Sequence, residues 1–110
     1  MEFLNKIEIR GIVGQVYFAE VGDKKHANFS VCTQYDYKNQ SGEAVVDTTW
    51  FNVSAWEGPK NGIDNLQKGA QVYVSGRIRT QYYEGDGLER ILQEVVAQEV
   101  KVEPKNEEEA

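Results

Sequence analysis

TTWFNVSAWEG, residues 48–58, carries the pattern from which the fold is read. Side chains on a β-strand alternate between two faces. Together with the residues just before, that period gathers Val46, Thr48, Trp50, Asn52, Ser54 and Trp56 on one face and Thr49, Phe51, Val53 and Ala55 on the other. The second set suits a core. The first puts two tryptophans on a mainly polar face. Burying both would also bury Asn52 and Ser54, which would then need hydrogen-bond partners. Exposed aromatics spaced along a polar strand instead offer flat surfaces on which planar rings can stack. The competing reading packs one or both tryptophans under a loop or in a subunit interface.

Working outward, the same alternation recurs on both sides. A first strand is expected over residues 6–18, with Ile7 and Ile9 on one face and Gly11 and Gly14 interrupting it. Glycine inside a strand often marks a bulge or a barrel corner. A second strand spans 27–37, where Ala27, Phe29, Val31, Thr33, Tyr35 and Tyr37 share a face, followed by the turn segment KNQSGE. The third strand, 45–56, is the one read above. In the following EGPKNGIDNLQKG, Ile63 and Leu66 fit one face of a short helix that Gly69 would end. A fourth strand covers 70–83. Val72, Val74 and Ile78 point one way, and Tyr73, Ser75, Arg77, Arg79, Gln81 and Tyr83 the other. EGDG is a hairpin turn. The fifth strand, 88–102, alternates through Leu92, Val96, Val100 and Val102. Three strands, a helix and two strands give an all-β chain with the layout of the five-stranded Greek-key oligonucleotide-binding (OB-fold) barrel. A small barrel of the SH3 type lacks that helix between strands three and four.

Charge and composition narrow the function. The chain of 110 residues has a net charge of −6, with 40% hydrophobic and 11% aromatic residues, as expected of one globular domain. Residues 103–110 are read as a short, disordered acidic tail of net charge −3, and residues 1–102 as the domain, with eleven Lys or Arg against fourteen acids. Long-range steering of a polyanion is therefore weak, and phosphate binding has to come from a local groove. Arg77 and Arg79, followed by Tyr83 at the hairpin, suit phosphate pairing plus stacking. The single cysteine, Cys32, excludes an internal disulfide and any zinc site of the CxxC type. No signal-peptide or membrane-length apolar run occurs, so a cytoplasmic protein with no membrane association is expected.

Catalysis has little support. His26 lies in the charged, loop-like GDKKHA segment and reads as a lone surface histidine. Cys32 reads as a buried, inert thiol. No triad, phosphate-binding loop or metal-ligand spacing appears. The chain is read as non-enzymatic, with no catalytic residue, no metal and no cofactor.

The segments NKIEIRGIVG, ANFSVCT, GE with TTWFNVSAWEG, LQKGAQVYVSGRIRTQYY and LERILQEVVAQEV follow one another over about residues 5–102. In that order and spacing they resemble the bacterial single-stranded DNA-binding protein family. The resemblance implies stacking of bases on Trp50, Trp56 and Tyr83, and on Tyr35 or Tyr37. It also implies a homotetramer around which single-stranded DNA wraps, protecting exposed strands in replication, repair or recombination. The chain departs from the family in FAEVGDKKH, which lacks the usual Asp-Pro pair. It departs again in PKNEEEA, which has no hydrophobic tip. Recruitment of replication or repair enzymes through such a tip is not carried over. The alternative is an OB-fold adaptor or primosomal-type protein that binds RNA or a protein partner.

Overall fold

The computed structural model describes residues 1–104. Five strands follow in order: β1 (Ile7–Val21), β2 (Lys24–Lys38), β3 (Ala44–Trp56), β4 (Gln71–Gly85) and β5 (Leu88–Glu103). They close into a barrel in the order β1-β2-β3-β5-β4, with β4 pairing back onto β1. This is the five-stranded barrel expected. No helix among the described residues is long and apolar enough to cross a membrane.

The interior is built from the inward parity of each strand. Ile9 and Val13, then Ala27, Phe29 and Val31, then Val53 and Ala55, then Val72 and Val74 are all buried. β2 and β3 pair without interruption from His26↔Trp56 to Lys38↔Ala44. An unbroken register preserves parity along its whole length, so the faces of β3 are those read from its sequence.

Two bulges break the simple period elsewhere. Between Val13 and Val16 the β1–β2 register shifts, so that Gly14 and Gln15 oppose Ser30 alone, and the Gln15 backbone N–H donates to Ser30 Oγ at 3.1 Å. In β5 the pairing passes from Ser75↔Glu99 to Gly76↔Ala97, which leaves Gln98 as the extra residue. A bulge reverses the inward parity beyond it. Val100 and Val95 are therefore both buried, while Leu92, expected to line up with Val100, is exposed. At these bends neighbouring backbones approach closely. A Cβ on Gly11 would lie 2.1 Å from Cys32 O, and one on Gly76 would lie 2.0 Å from Val96 O.

The expected helix between the third and fourth strands is a single 3-10 turn, Ile63–Asn65. Ile63 and Leu66 still plug the core, both buried. Three residues apart, they reach the barrel from a tight turn as well as from an α-helix. The Gly58, Pro59 and Gly62 around them oppose helix propagation. The segment is held by backbone bonds to β5 instead, Gly62 N to Val100 O at 3.2 Å and Val100 N to Lys60 O at 2.9 Å.

Strands run past the barrel as hairpin arms. FAEVGDKKH is not a loop: β1 and β2 pair out to Val21↔Lys24 around Gly22 (φ 66). The β4–β5 arm turns at Asp86 (φ 53) and Gly87 (φ 76), the doubly left-handed pair that two-residue hairpins need. Glu103, assigned from sequence to the tail, ends β5 opposite Gln71 and pairs with Arg10 at 2.7 Å. Residues 105–110, the rest of the expected acidic tail, lie outside the described residues.

Candidate nucleic-acid interface

β3 supplies the centre. Trp50 is 59% exposed and Trp56 44% exposed, on the outer face read from the sequence. Trp50 lies against β1 where Gly14 leaves room: a Cβ there would come within 2.6 Å of its Cζ3 atom. Trp56 is held from below. The His26 ring meets it edge-on, with centroids 4.6 Å apart at 64°, and Asn61 Nδ2 donates to its carbonyl at 2.8 Å.

His26 is not a free surface histidine in a loop. It sits in β2 opposite Trp56, and its Nε2 shares a 2.7 Å hydrogen bond with Ser54 Oγ. This resolves how a serine can lie between two exposed tryptophans. Ser54 is buried at 7% exposure, and its hydroxyl has the partner that burial demands. Cys32 is half-buried rather than interior and faces outward between Ile12 and Trp50.

Three connected clefts follow this face. The first, of about 260 Å³, is lined in part by Gln15, Tyr17, Asn28, Asn52, Gln81 and Gln93. It shares Asn52, Gln93 and Glu94 with a cleft beside Trp50, and Asn28, Gln81 and Glu94 with one beside Trp56. A continuous groove of mixed polar and apolar lining therefore runs from one tryptophan to the other. The β4–β5 arm forms its second wall, where Arg79 pairs with Glu94, Gln81 with Leu92 and Tyr83 with Arg90.

Of the residues singled out from sequence, Trp50, Trp56 and Arg79 meet at the groove. Tyr83 continues the Arg79 and Gln81 face along the arm and is exposed. The Arg79 guanidinium is ion-paired to Glu94, so it reaches the groove already partly neutralised. Arg77 is exposed, opposite Val96, with no carboxylate in ion-pair range among the described residues. Tyr35 and Tyr37 stand apart. Both are exposed, with rings 6.2 Å apart, but their parity is that of buried Phe29 and Val31. They therefore occupy the side of the β2–β3 arm opposite to Trp50.

The sequence reading missed His26, Asn28 and Gln81 as lining residues, and Tyr17 as a further exposed aromatic. Tyr17 follows a bulge, so its parity could not be counted from Ile7 and Ile9. Among the described residues no group of three or more His, Cys, Asp or Glu side chains could hold a metal ion.

Comparison with known proteins gives a consistent result. The model of the single-strand binding protein family matches residues 4–103. The single-stranded DNA-binding protein of Neisseria meningitidis is 34% identical over 104 residues, covering 90% of this chain and 59% of that protein. The single-stranded DNA-binding protein 2 of Listeria monocytogenes is 37% identical over 83 residues, covering 73% of this chain and 51% of that protein. The chain thus spans a little over half the length of these curated relatives. Among solved structures, the Plasmodium falciparum SSB complex with ssDNA superposes with a TM-score of 0.78 at 24% identity, covering 92% of this chain and 94% of that one. The small single-stranded DNA-binding protein from Streptomyces coelicolor gives 0.69 at 17%, covering 92% and 96%. At these identities the structural matches speak for the fold.

Proposed function

The chain belongs to the single-strand binding protein family, and from that premise we propose that it binds single-stranded DNA without catalysis and with little sequence preference. Bases stack on Trp50 and Trp56 while the backbone follows the groove between them. The observation that carries this reading is the pair of exposed tryptophans on one strand face, joined by a continuous groove. Every base has a π-face, so stacking of this kind is tolerant of sequence. Paired bases cannot reach such a surface, so duplex DNA is a poor ligand. Tyr83 extends the path along the β4–β5 arm, and Arg77 and Arg79 meet phosphates. Tyr35 or Tyr37 engages a strand that wraps past the β2–β3 arm onto its other side.

The test is a titration with an unstructured oligonucleotide, followed by tryptophan emission and by salt. Quenching is expected, and affinity should fall with salt at a slope of about −0.7 per neutralised phosphate. Unchanged emission or preference for duplex would refute the reading. An adaptor binding only protein would give unchanged emission.

The domain we assign is residues 1–103, the expected boundary moved by one to take in Glu103 at the end of β5, with an acidic tail after it, acting in the cytoplasm on strands exposed in replication, repair or recombination. We further propose a homotetramer. The supporting feature is β1, whose segment before Ile12 pairs with β4 on one side and has no partner on the other among the described residues. Light scattering should give four chains per particle at micromolar concentration. A monomer would contradict it.

A further inference from the structure

We infer that the cleft between the two tryptophans is a third base-binding position, with Tyr17 as its stacking surface. This rests on the reading that the groove takes single-stranded DNA.

Tyr17 stands on β1 directly opposite Asn28 of β2, just past the bulge at Gly14 and Gln15. The residue is 65% exposed, and its hydroxyl donates to Gln15 Oε1 at 2.9 Å. The ring is thus steered by a neighbour while its face stays open. It borders a cleft whose other polar walls are side-chain amides: Gln15 on β1, Asn28 on β2, Asn52 on β3, Gln81 on β4 and Gln93 on β5. Amides from all five strands converge on one space.

The charge of the cleft decides what it can hold. It is lined by no lysine and no arginine, and its one ionisable carboxylate, Glu94, is tied to Arg79. A phosphate needs cations and would meet a carboxylate here. A base needs a ring to stack on and groups that both donate and accept along its edge, and each Asn or Gln amide supplies both. The floor adds the edges of Phe29 and Val53, which suit a flat apolar ligand. The cleft adjoins the space beside Trp50 through Asn52 and Gln93 and the space beside Trp56 through Asn28 and Gln81. A strand stacked on both tryptophans therefore brings an intervening base over Tyr17. The long β1–β2 arm makes this position possible, because pairing out to Val21↔Lys24 keeps Tyr17 inside a rigid sheet.

The test measures the affinity of a labelled oligothymidylate across a range of salt for the full chain carrying Tyr17→Ala, Tyr17→Phe or Gln81→Ala. Tyr17→Ala should weaken binding by roughly 5–150-fold, the span of base–aromatic stacking. The unfolding midpoint should not move, because the ring is exposed. Tyr17→Phe keeps the ring and should keep the affinity. Gln81→Ala, on the opposite wall, should weaken binding several-fold. In each weakened variant the plot of log affinity against log salt should stay parallel to that of the unsubstituted chain, because no phosphate contact is lost. Equal affinity of Tyr17→Ala and the unsubstituted chain would remove the subsite and leave the wider function standing. A salt slope shallower by one phosphate would show that the cleft holds backbone rather than base. Failure of the unsubstituted chain to bind would remove both.

Discussion

Gly14→Ala should disable Trp50 without touching it. The added Cβ would lie 2.6 Å from Cζ3 and 3.0 Å from Cη2 of the indole, and 2.7 Å from Ser30 Oγ. Ordinary carbon contacts lie at about 3.5–4.0 Å, so the ring must retreat by about 1 Å. It has somewhere to go, since 59% of the residue is exposed. No core void opens, and the backbone of Gly14 is not left-handed. The stability cost is bounded by the Gln15–Ser30 bond, about 0.5–1.5 kcal/mol if the hydroxyl is displaced. A gain of roughly 0.4–1 kcal/mol from the less flexible unfolded chain offsets it. The net change in stability should be under about 1 kcal/mol. Affinity should fall by about 1–2 kcal/mol, part of the roughly 1–3 kcal/mol that one stacked base contributes. The assay pairs oligonucleotide anisotropy at fixed salt with urea unfolding, in a Trp56→Phe background where Trp50 alone fluoresces. Gly11→Ala is the contrast. Its Cβ meets a backbone carbonyl at 2.1 Å that cannot swing away, so stability should drop by roughly 1–3 kcal/mol. Full affinity and unaltered quenching in Gly14→Ala would mean that binding does not use Trp50 in this position.

Trp50→Ala and Trp56→Ala should each weaken binding by roughly 1–3 kcal/mol with little loss of stability. Val53→Ala, between them in sequence but fully buried, should cost roughly 2 kcal/mol or more of stability and little affinity in the folded protein. The opposite assignment of these losses would place the tryptophans in the core. Glu94→Gln should raise affinity and steepen the salt dependence by about 0.7, because it releases Arg79 to a phosphate; weaker binding would mean that the pair itself shapes the groove. Near the start of β4, the hydrogen bond Tyr73 donates to Glu8 and partial desolvation hold its phenol above the ordinary range. That contribution to stability is complete below the unfolded value of about 10 and is lost as pH rises through the folded value. Urea unfolding in that window should therefore show a steeper alkaline decline in the unsubstituted chain than in Tyr73→Phe. The comparison is needed because Lys25 is also raised, by its hydrogen bond to Asp64, and adds its own alkaline loss of stability. Parallel declines would show that Tyr73 has no part in it.

The barrel and its central platform were legible because β2 and β3 pair without a slip, so counting by two along 48–58 gives the true faces. The same count failed in β5, where Gln98 reverses it and Val95 replaces Leu92 inside. The short helix expected there is a single 3-10 turn, because Ile63 and Leu66 satisfy the core from one tight turn. Ser54 and His26 were hidden for a different reason. Each looks polar and solvent-seeking alone, and only the cross-strand register brings them within 2.7 Å. Tyr35 and Tyr37 were assigned by resemblance; their parity, visible in the sequence, sets them on the other side of the arm.

The join between β3 and β5 is parallel and consists of two residue pairs, Val53↔Val95 and Ser54↔Val96. β4 and β5, by contrast, pair along their whole lengths. The barrel is thus a long, well-laced sheet fastened by a short clasp. Opening of the native state should begin at such a join rather than at the hairpins, and hydrogen exchange reports openings of this kind. The clasp lies under the groove, so a ligand spanning β3 and β5 holds it shut. Occupancy of the groove then becomes a brake on unfolding, by mass action on the closed form alone.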